Sequence, residues 1–153
     1  MLDKTDRKIL ELLQSDATLN VAALAERVGL STTPCWKRVK RLEEEGYIVK
    51  RVALIDRAKV GLKVTIFVSI KTNEHDPAWL ENFARVAASF PEIVELYRMS
   101  GDVDYLMKVV VADVEGYDRF YKRLIKAVRL TDVSSAFAME QIKYSTELPL
   151  GGA

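Results

Sequence analysis

A short basic run is the first feature of this 153-residue chain whose residue types suggest a chemistry. Positions 37–41 read Lys-Arg-Val-Lys-Arg, and three hydroxyl residues at 31–33 lie just before them. Ammonium and guanidinium groups bind phosphate, and hydroxyls can hydrogen-bond to the edges of bases. The candidate nucleic-acid contacts are Ser31, Thr32, Thr33, Lys37, Arg38, Lys40 and Arg41. The alternative is a solvated face on an ordinary three-helix packing module, and the basic cluster favours nucleic acid.

Two carboxylates separated by one residue form the second candidate site, in the sequence Ser100-Gly101-Asp102-Val103-Asp104-Tyr105. Such a pair could do acid–base chemistry, hold a metal or accept an ammonium group, and Gly101 would let a ligand approach the backbone closely. The alternative is an ordinary Gly-Asp turn, in which Asp102 caps the loop and Asp104 faces solvent. The residues alone favour neither the ligand loop nor the turn.

Single copies of the reactive residue types exclude several kinds of site. The one cysteine, Cys35, cannot form an internal disulfide or a cysteine-built zinc site, and the one histidine, His75, cannot form a typical zinc site. His75 lies in a polar turn with no nucleophile pattern around it, and Cys35 falls on an apolar helical stripe. We therefore expect no enzyme activity and no cofactor.

The composition is typical of a soluble globular protein, with 49% hydrophobic and 29% charged residues. No apolar run approaches the roughly 20 residues of a membrane span, and the charged start does not resemble a signal peptide. We expect a protein of the reducing cytoplasm with no membrane partner. The net charge is only +1, so it is the local basic run, and not the overall charge, that indicates nucleic acid.

Three short helices are predicted to position that run. Asp3 is a plausible cap for the first helix, Asn20 for the second and Ser31 for the third. Gly29 ends the second helix where a left-handed residue is favoured. Only residues 29–31 separate the second and third helices, and such a tight turn is typical of a helix-turn-helix.

The third helix is predicted to have one apolar face and one basic face. Its buried stripe, spaced at i, i+4 and i+7, consists of Cys35, Val39 and Leu42. Lys37 and Lys40 point the opposite way, whereas Arg38 lies nearer the buried flank and could form an internal ion pair. Trp36 lies beside the basic face, and its aromatic bulk favours packing over contact with nucleic acid.

The second half of the chain alternates strands and helices. The order strand-helix-strand occurs twice, which predicts a ferredoxin-like α+β domain with four antiparallel strands and two helices on one face. The predicted strands are 63–72, 93–99, 104–112 and 135–144, and the predicted helices are 77–90 and 114–128. Because several strands are apolar on both faces, we expect the uncovered face to pack against a second copy.

A β-rich segment, 47–55, joins the two halves and predicts a strand that serves as a wing or linker. The expected domains are a helix-turn-helix over 1–47, a strand or wing with linker over 48–61, and a ferredoxin-like domain over 62–153.

In this order and spacing, the motifs resemble the Lrp/AsnC family of bacterial regulators over essentially the whole chain. In the first half they are Asp6-x-x-Ile9-Leu10, Leu24-Ala25-x-x-Val28-Gly29-Leu30-Ser31-x-Thr33-Pro34-Cys35 and Arg38-Val39-x-Arg41-Leu42-Glu43-x-x-Gly46-Tyr47-Ile48. In the second half they are Ser100-Gly101-Asp102-x-Asp104-Tyr105-Leu106 and Met139-Glu140-x-Ile142-Lys143. The resemblance implies a winged helix-turn-helix joined to an amino-acid-sensing domain that forms homodimers and often octamers.

The resemblance also implies where a small amino-acid effector binds. In the family it lies between dimers, near the loop between the second and third strands and the start of the last strand. Carried onto this sequence, the effector residues are Gly101, Asp102, Asp104 and Tyr105, with Ser135, Ala136, Phe137 and Ala138 across the interface. Residues 129–132 depart from the Pro-Gly turn that many members have there. Residues 32–38 and 137–144 resemble the corresponding segments of the subgroup that responds to cysteine and controls its detoxification.

These observations favour a regulator of amino-acid metabolism that binds double-stranded operator DNA and responds to a small amino acid, with L-cysteine as the candidate. One alternative is a DNA-organising protein that needs no effector. The other is an amino-acid-binding enzyme subunit, which leaves the basic helix unexplained.

Overall fold

The computed structural model describes residues 1–72 and 76–152 of the chain. They form two compact units: unit 1 is Met1–Leu54 together with the chain from Lys143 onward, and unit 2 is Ile55–Ile142. His75, for which the sequence predicts a polar turn, lies outside the described residues.

Unit 1 is built on three α-helices that begin at the predicted caps. They are α1 (Lys4–Ser15), α2 (Val21–Val28) and α3 (Thr32–Glu44). The Asn20 side chain accepts a hydrogen bond from the Ala23 N–H, and Gly29 ends α2 with a φ of 70°. A residue without a Cβ adopts this left-handed conformation without strain, so the tight turn into α3 forms as predicted.

Apolar side chains from all three helices meet in one core. Ile9 of α1, Leu24 of α2, and Cys35 and Leu42 of α3 are almost completely buried there. Removing these side chains from water is the main contribution that stabilises so small a unit. Burial also raises the pKa of the Cys35 thiol, so the sulfur stays protonated and serves as a small hydrophobe, as expected.

The segment after α3 does not form the strand that its β-branched residues predict. The predicted strand over 47–55 is wrong, because residues 49–56 have no regular secondary structure. A strand forms only where a neighbouring backbone edge pairs with it, and the described part of unit 1 contains no such ladder. The side chains of Val49, Val52, Leu54 and Ile55 are exposed instead.

The end of the chain packs on α1. The Gln14 side-chain amide donates to the Leu148 carbonyl oxygen and accepts from the Leu148 N–H, both at 2.9 Å. Ser15 Oγ donates to the Glu147 carboxylate at 2.7 Å, and a short 3-10 helix at Leu150–Gly152 follows. These partners lie 132 and 134 positions apart in the sequence, so no local pattern predicts the contact.

Unit 2 is a four-stranded antiparallel sheet with two helices. In chain order its elements are β1 (Val64–Lys71), α4 (Pro77–Ala88), β2 (Ile93–Arg98), β3 (Tyr105–Val111), α5 (Val114–Ala127) and β4 (Asp132–Phe137). The strand order is β2-β3-β1-β4. Two strand-helix-strand repeats give this order in a ferredoxin-like fold, which confirms the predicted α+β class.

The two helices cover one face of this sheet. Every second residue of β1 lies on that face, and the completely buried side chains there include Ile66, Val68, Ile70, Phe83 and Phe120. On the opposite face, Phe67 of β1 is 40% exposed and Tyr97 of β2 is 52% exposed. This open face is the one that the sequence predicts will pack against a second copy, and it carries exposed aromatic side chains.

The last strand has different bounds from its prediction over 135–144. It pairs with β1 from Lys71 opposite Asp132 to Ile66 opposite Phe137. The N–H of Ala138 then donates a final hydrogen bond to the carbonyl of Thr65. β1 extends to Val64, but only the Ala138 hydrogen bond reaches beyond Ile66, so residues 138–144 form no further ladder and do not continue the strand.

Candidate functional site

The outward face of α3 carries hydroxyl, indole and ammonium groups. Its exposed residues of these types are Thr32, Thr33, Trp36, Lys37 and Lys40. Their direction is fixed because Cys35, Val39 and Leu42 on the other side of the helix fill the core of unit 1. No carboxylate occurs on α3 before Glu43, so the first three turns present only neutral and positive groups.

Ser31 lies at the N-cap of α3. Its carbonyl accepts from the Cys35 N–H at 3.2 Å, while its side chain makes no capping hydrogen bond. The hydroxyl is exposed beside those of Thr32 and Thr33. The three predicted hydroxyl contacts therefore share the positive end of the helix dipole, where free N–H groups favour anions.

Two of the predicted DNA-contacting cations have partners inside unit 1. Arg38 donates from its Nη1 to Asp3 Oδ2 at 2.6 Å and to Asp6 Oδ1 at 2.7 Å. Arg41 donates from its Nη2 to Asp6 Oδ2 at 2.5 Å. The internal ion pair considered for Arg38 is present, and the sequence interpretation missed the same pairing for Arg41.

Asp6 is the residue that joins these contacts, and its side chain is fully buried. It also forms a reciprocal cap with Asp3: the Asp6 N–H donates to Asp3 Oδ1 at 2.8 Å, and the Asp3 N–H donates to Asp6 Oδ2 at 3.1 Å. Burial raises the pKa of the Asp6 carboxyl, but the hydrogen bonds from Arg38, Asp3 and Arg41 outweigh it, so the net pKa is lowered. The carboxylate is thus held ionised beneath α3.

The acidic partners could have been found from the sequence. An aspartate at an N-cap with a second carboxylate three positions later is the pattern of a reciprocal cap, and Asp3 and Asp6 match it. That pattern explains why Asp6 lies at the start of α1, but it does not say that the carboxylate faces α3.

The loop between β2 and β3 is closed by Asp104. Its carboxylate accepts from the Thr72 N–H at 2.7 Å, its own N–H donates to the Ile70 carbonyl at 2.9 Å, and its carbonyl accepts from the Met99 N–H at 2.8 Å. Asp102 is exposed, and Gly101 has a φ of 121°, which glycine adopts without strain. The turn alternative gave the capping role to Asp102 and exposure to Asp104, and the structure shows the reverse.

Tyr105, the last predicted effector residue of this loop, belongs to the core of unit 2. Its ring is buried, with centroids 5.0 Å from Phe83 and 6.0 Å from Trp79. These ring contacts fix the end of the loop against α4, because Trp79 and Phe83 belong to that helix.

The second predicted group, on β4, is divided between the two faces of the sheet. On the helical side, the hydroxyl of Ser135 shares a short hydrogen bond with that of Tyr117, and the Phe137 ring lies edge-on to Tyr117 at 5.3 Å. Ala136 pairs with Phe67, whose side chain is on the open face. Tyr117, which was not among the predicted effector residues, holds this strand to α5.

One chain does not bring the two predicted groups together. Asp104 hydrogen-bonds to Ile70 of β1, whereas Ser135 pairs with Val68 and Ala138 bonds to Thr65. At about 3.3 Å per residue, these contacts lie roughly 7 and 17 Å farther along β1. A pocket that used both groups at one ligand would need the second group from another chain.

Two kinds of feature are absent from residues 1–72 and 76–152. No group of three or more His, Cys, Asp or Glu side chains there is arranged to hold a metal ion. No helix within the same residues is long and apolar enough to cross a membrane.

Two family models match the chain. A model described as a winged helix-turn-helix DNA-binding domain matches residues 2–49, and one described as the Lrp/AsnC ligand binding domain matches residues 65–148. The first contains the whole of α1 to α3, and the second contains the sheet of unit 2 except Val64, the first residue of β1.

Individual proteins agree with the family models. The DNA-binding transcriptional activator DecR of Escherichia coli K12 is 56% identical over 98% of this chain and 99% of its own. An AsnC family transcriptional regulator from Agrobacterium tumefaciens has a crystal structure with a TM-score of 0.95 and 62% identity, covering 98% of both chains. A transcriptional regulator of Neisseria meningitidis, solved as a complex with L-Met, has a TM-score of 0.92 and 33% identity over 98% of this chain and 97% of its own.

These relatives are transcription regulators and not enzymes, and the match extends over both units of this chain. The basic face of α3 and the ferredoxin-like sheet therefore belong to one known architecture. The chain is a member of the Lrp/AsnC family of DNA-binding, amino-acid-responsive transcription regulators.

Proposed function

We propose that the protein binds operator DNA through the exposed face of α3 and that a small amino acid, L-cysteine as first candidate, modulates this binding or the assembly of the protein. The observation that carries the DNA part is the carboxylate-free face of α3, which the buried Asp6 holds in place through Arg38 and Arg41. We assign residues 1–47 to DNA binding, 48–61 to the wing and linker, and 62–153 to effector binding and oligomerisation.

In this assignment, some residues of α3 contact base edges and others contact phosphates. A recognition helix inserts its N-terminal residues in the major groove, so Ser31, Thr32 and Thr33 are placed to read base edges. Lys37 and Lys40 neutralise phosphates on either side of the groove. Arg38 and Arg41 stay bound to Asp6 and reach DNA only with the outer part of the guanidinium, which in Arg41 is half-exposed.

The chemistry of the β2–β3 loop supports an amino-acid effector. A zwitterion needs an acceptor for its ammonium group and donors for its carboxylate. The exposed Asp102 carboxylate supplies the first, and main-chain N–H groups around Gly101 supply the second. Asp104 shapes the loop, and Tyr105 supports it from the core. The resemblance of residues 32–38 and 137–144 to the cysteine-responsive subgroup favours L-cysteine, and the L-Met complex of a relative supports the ligand class.

The proposal also assigns the surfaces through which the protein forms oligomers. We assign the open face of the sheet, with Phe67 and Tyr97, to a homodimer, because large apolar side chains exposed on one face typically mark an interface. Two dimers in contact would supply Ser135–Ala138 of one chain to the loop of another, and repetition of that contact gives an octamer. A dimer carries two recognition helices and fits DNA half-sites about 34 Å apart. The cytoplasm is the compartment where such a protein meets DNA.

The test has two steps. Thermal unfolding is first measured with each of the twenty amino acids, because a ligand at 100 times its Kd stabilises the folded state by about 2.7 kcal/mol. The region upstream of the protein's own gene is then footprinted with and without each stabilising amino acid. We expect protected half-sites whose occupancy changes with L-cysteine. Equal binding to random DNA with no response to any amino acid would favour the DNA-organising alternative, and failure to bind any duplex would overturn the proposal.

A further inference from the structure

Trp36 is the large apolar side chain that α3 leaves outside the core. Its neighbour Cys35 is completely buried, yet Trp36 is 48% exposed. An indole at this position has enough apolar surface to fill a core, but the structure turns it toward solvent among threonines and lysines. The sequence favoured packing of Trp36 on the wing, whereas the structure leaves about half of the side chain exposed.

Lys40 holds this indole along the helix. Its Nζ lies 5.2 Å from the centroid of the Trp36 ring, one turn farther along α3. A cation over an aromatic face is attracted to it, and residues four apart on a helix are neighbours. Lys40 covers part of the ring, and about half of the Trp36 side chain stays exposed to solvent.

We propose that Trp36 is a specificity-determining residue for DNA, whose indole makes an apolar contact with a thymine methyl group in the major groove. This inference rests on the proposed DNA binding of α3. At about 100° per residue, Trp36 lies roughly 40° from Lys40 and 60° from Thr33 around the helix, so the indole shares their side of the helix. The thymine methyl is the apolar feature of the major groove, and it distinguishes this base from the other three.

The charges around Trp36 favour DNA over a protein partner. The exposed neighbours Thr33, Lys37 and Lys40 are neutral or positive. Lys40 has a carboxylate partner in Glu44 at 3.7 Å, but both side chains are more than half-exposed, and such surface pairs contribute little to stability. The ammonium can therefore turn to a phosphate while the indole remains at the base edges.

Fluorescence tests the contact directly. The chain has two tryptophans, so a Trp79→Phe protein keeps Trp36 as its single indole, and a Trp36→Phe protein keeps Trp79 as the matched control. The probe is a duplex selected by the Trp79→Phe protein from a pool of random 40-base-pair DNA. We expect the emission of Trp36 to be quenched on binding and that of Trp79 to be unchanged. Unchanged Trp36 emission while a labelled duplex shows binding would overturn the inference.

Base substitution tests the partner. Replacing single thymines of the selected duplex by uracil removes one methyl group each, which we expect to weaken binding about fourfold at the contacted position. The Trp36→Ala protein should bind the parent duplex about tenfold more weakly and should not distinguish thymine from uracil. Circular dichroism checks that this exposed substitution leaves the fold intact.

The remaining outcomes distinguish a failure of the Trp36 contact from a failure of DNA binding by α3. If the parent selects a sequence and Trp36→Ala selects the same one with equal affinity, Trp36 does not read DNA although α3 does. If Trp36 emission depends on protein concentration without DNA, the indole is buried between two copies, and the inference is again overturned. If the parent binds no duplex, the proposed function itself fails and this inference fails with it.

Discussion

Arg38 of α3 donates a 2.7 Å hydrogen bond to the fully buried carboxylate of Asp6 in the first turn of α1. Because the same carboxylate also accepts from Arg41, one buried acid ties two points of α3 to the start of the chain. The basic run therefore contains two kinds of cation: Lys37 and Lys40 face solvent, whereas Arg38 and Arg41 orient the helix that carries them.

Replacing Asp6 by Asn should destabilise unit 1 by about 2 kcal/mol, because charged hydrogen bonds to two guanidinium groups are lost at a buried position. The measurement is urea unfolding followed by circular dichroism. Asp3→Asn is the control, and its effect should be smaller because Asp3 is half-exposed. Equal stability of Asp6→Asn and the parent would contradict the role of this carboxylate.

The same substitution should change the dependence of stability on pH. The pKa of Asp6 is lowered in the folded state, so its stabilisation is present above the unfolded value near 3.8 and is lost as the pH falls through the folded value. The unfolding free energy of the parent should therefore decrease below about pH 4 more steeply than that of Asp6→Asn. Parallel pH profiles would show that the carboxyl is not held ionised.

Salt dependence separates phosphate contacts from orienting residues. Lys37→Ala and Lys40→Ala should each reduce the slope of log K against log salt by about 1, because one phosphate contact is lost. Lys122→Ala in α5 removes an exposed cation of unit 2 and serves as the control with an unchanged slope. The assigned face of α3 is wrong if both variants keep the slope of the parent.

The sequence predicts α1 to α3 well because their determinants are local: a cap, an apolar stripe and a left-handed glycine lie within a few residues of each other. The strands are harder, since pairing decides where they end. Residues 47–55 have strand composition but no ladder, and β4 ends at Phe137 because the residues after it form no ladder with β1. The candidate DNA contacts were predicted from residue type, but the hydrogen bonds that Arg38 and Arg41 donate to Asp6 span 32 and 35 positions and depend on the tertiary fold.

Asp102 and Asp104 should respond differently to substitution in the proposed effector loop. Asp102→Asn removes an exposed carboxylate and should abolish the amino-acid response while stability and basal DNA binding stay intact. Asp104→Asn keeps an oxygen that can accept from the Thr72 N–H, so the loop should persist. Titration of DNA binding with L-cysteine measures both variants, and a normal response in both would place the sensing site elsewhere.

Substitution of Gln14 tests whether the end of the chain stabilises unit 1. Gln14→Ala removes two hydrogen bonds to Leu148 and should lower stability by about 1 kcal/mol, with faster proteolytic cleavage after residue 143. Gln14→Glu is the sharper control: it keeps an acceptor for the Leu148 N–H and loses the donor to the Leu148 carbonyl, so its effect should be intermediate. Identical cleavage rates in all three proteins would show that the terminal segment does not depend on this clamp.

Substitution of Phe67 tests whether two chains associate through the open face of the sheet. Its side chain is 40% exposed in the middle of β1, opposite Lys108 of β3 and Ala136 of β4, so a dimer through this face would bury it near the centre. Phe67→Asp places a charge there, which costs several kcal/mol if the carboxylate is desolvated but almost nothing if the face stays in water. Sedimentation of the full chain at micromolar concentration should therefore show a dimer or larger assembly for the parent and a folded monomer for Phe67→Asp. Ile125→Asp is the control on α5, where the exposed side chain faces away from the sheet. A parent that sediments as a monomer, or a Phe67→Asp protein that assembles as the parent does, would show that the chain does not associate through this face.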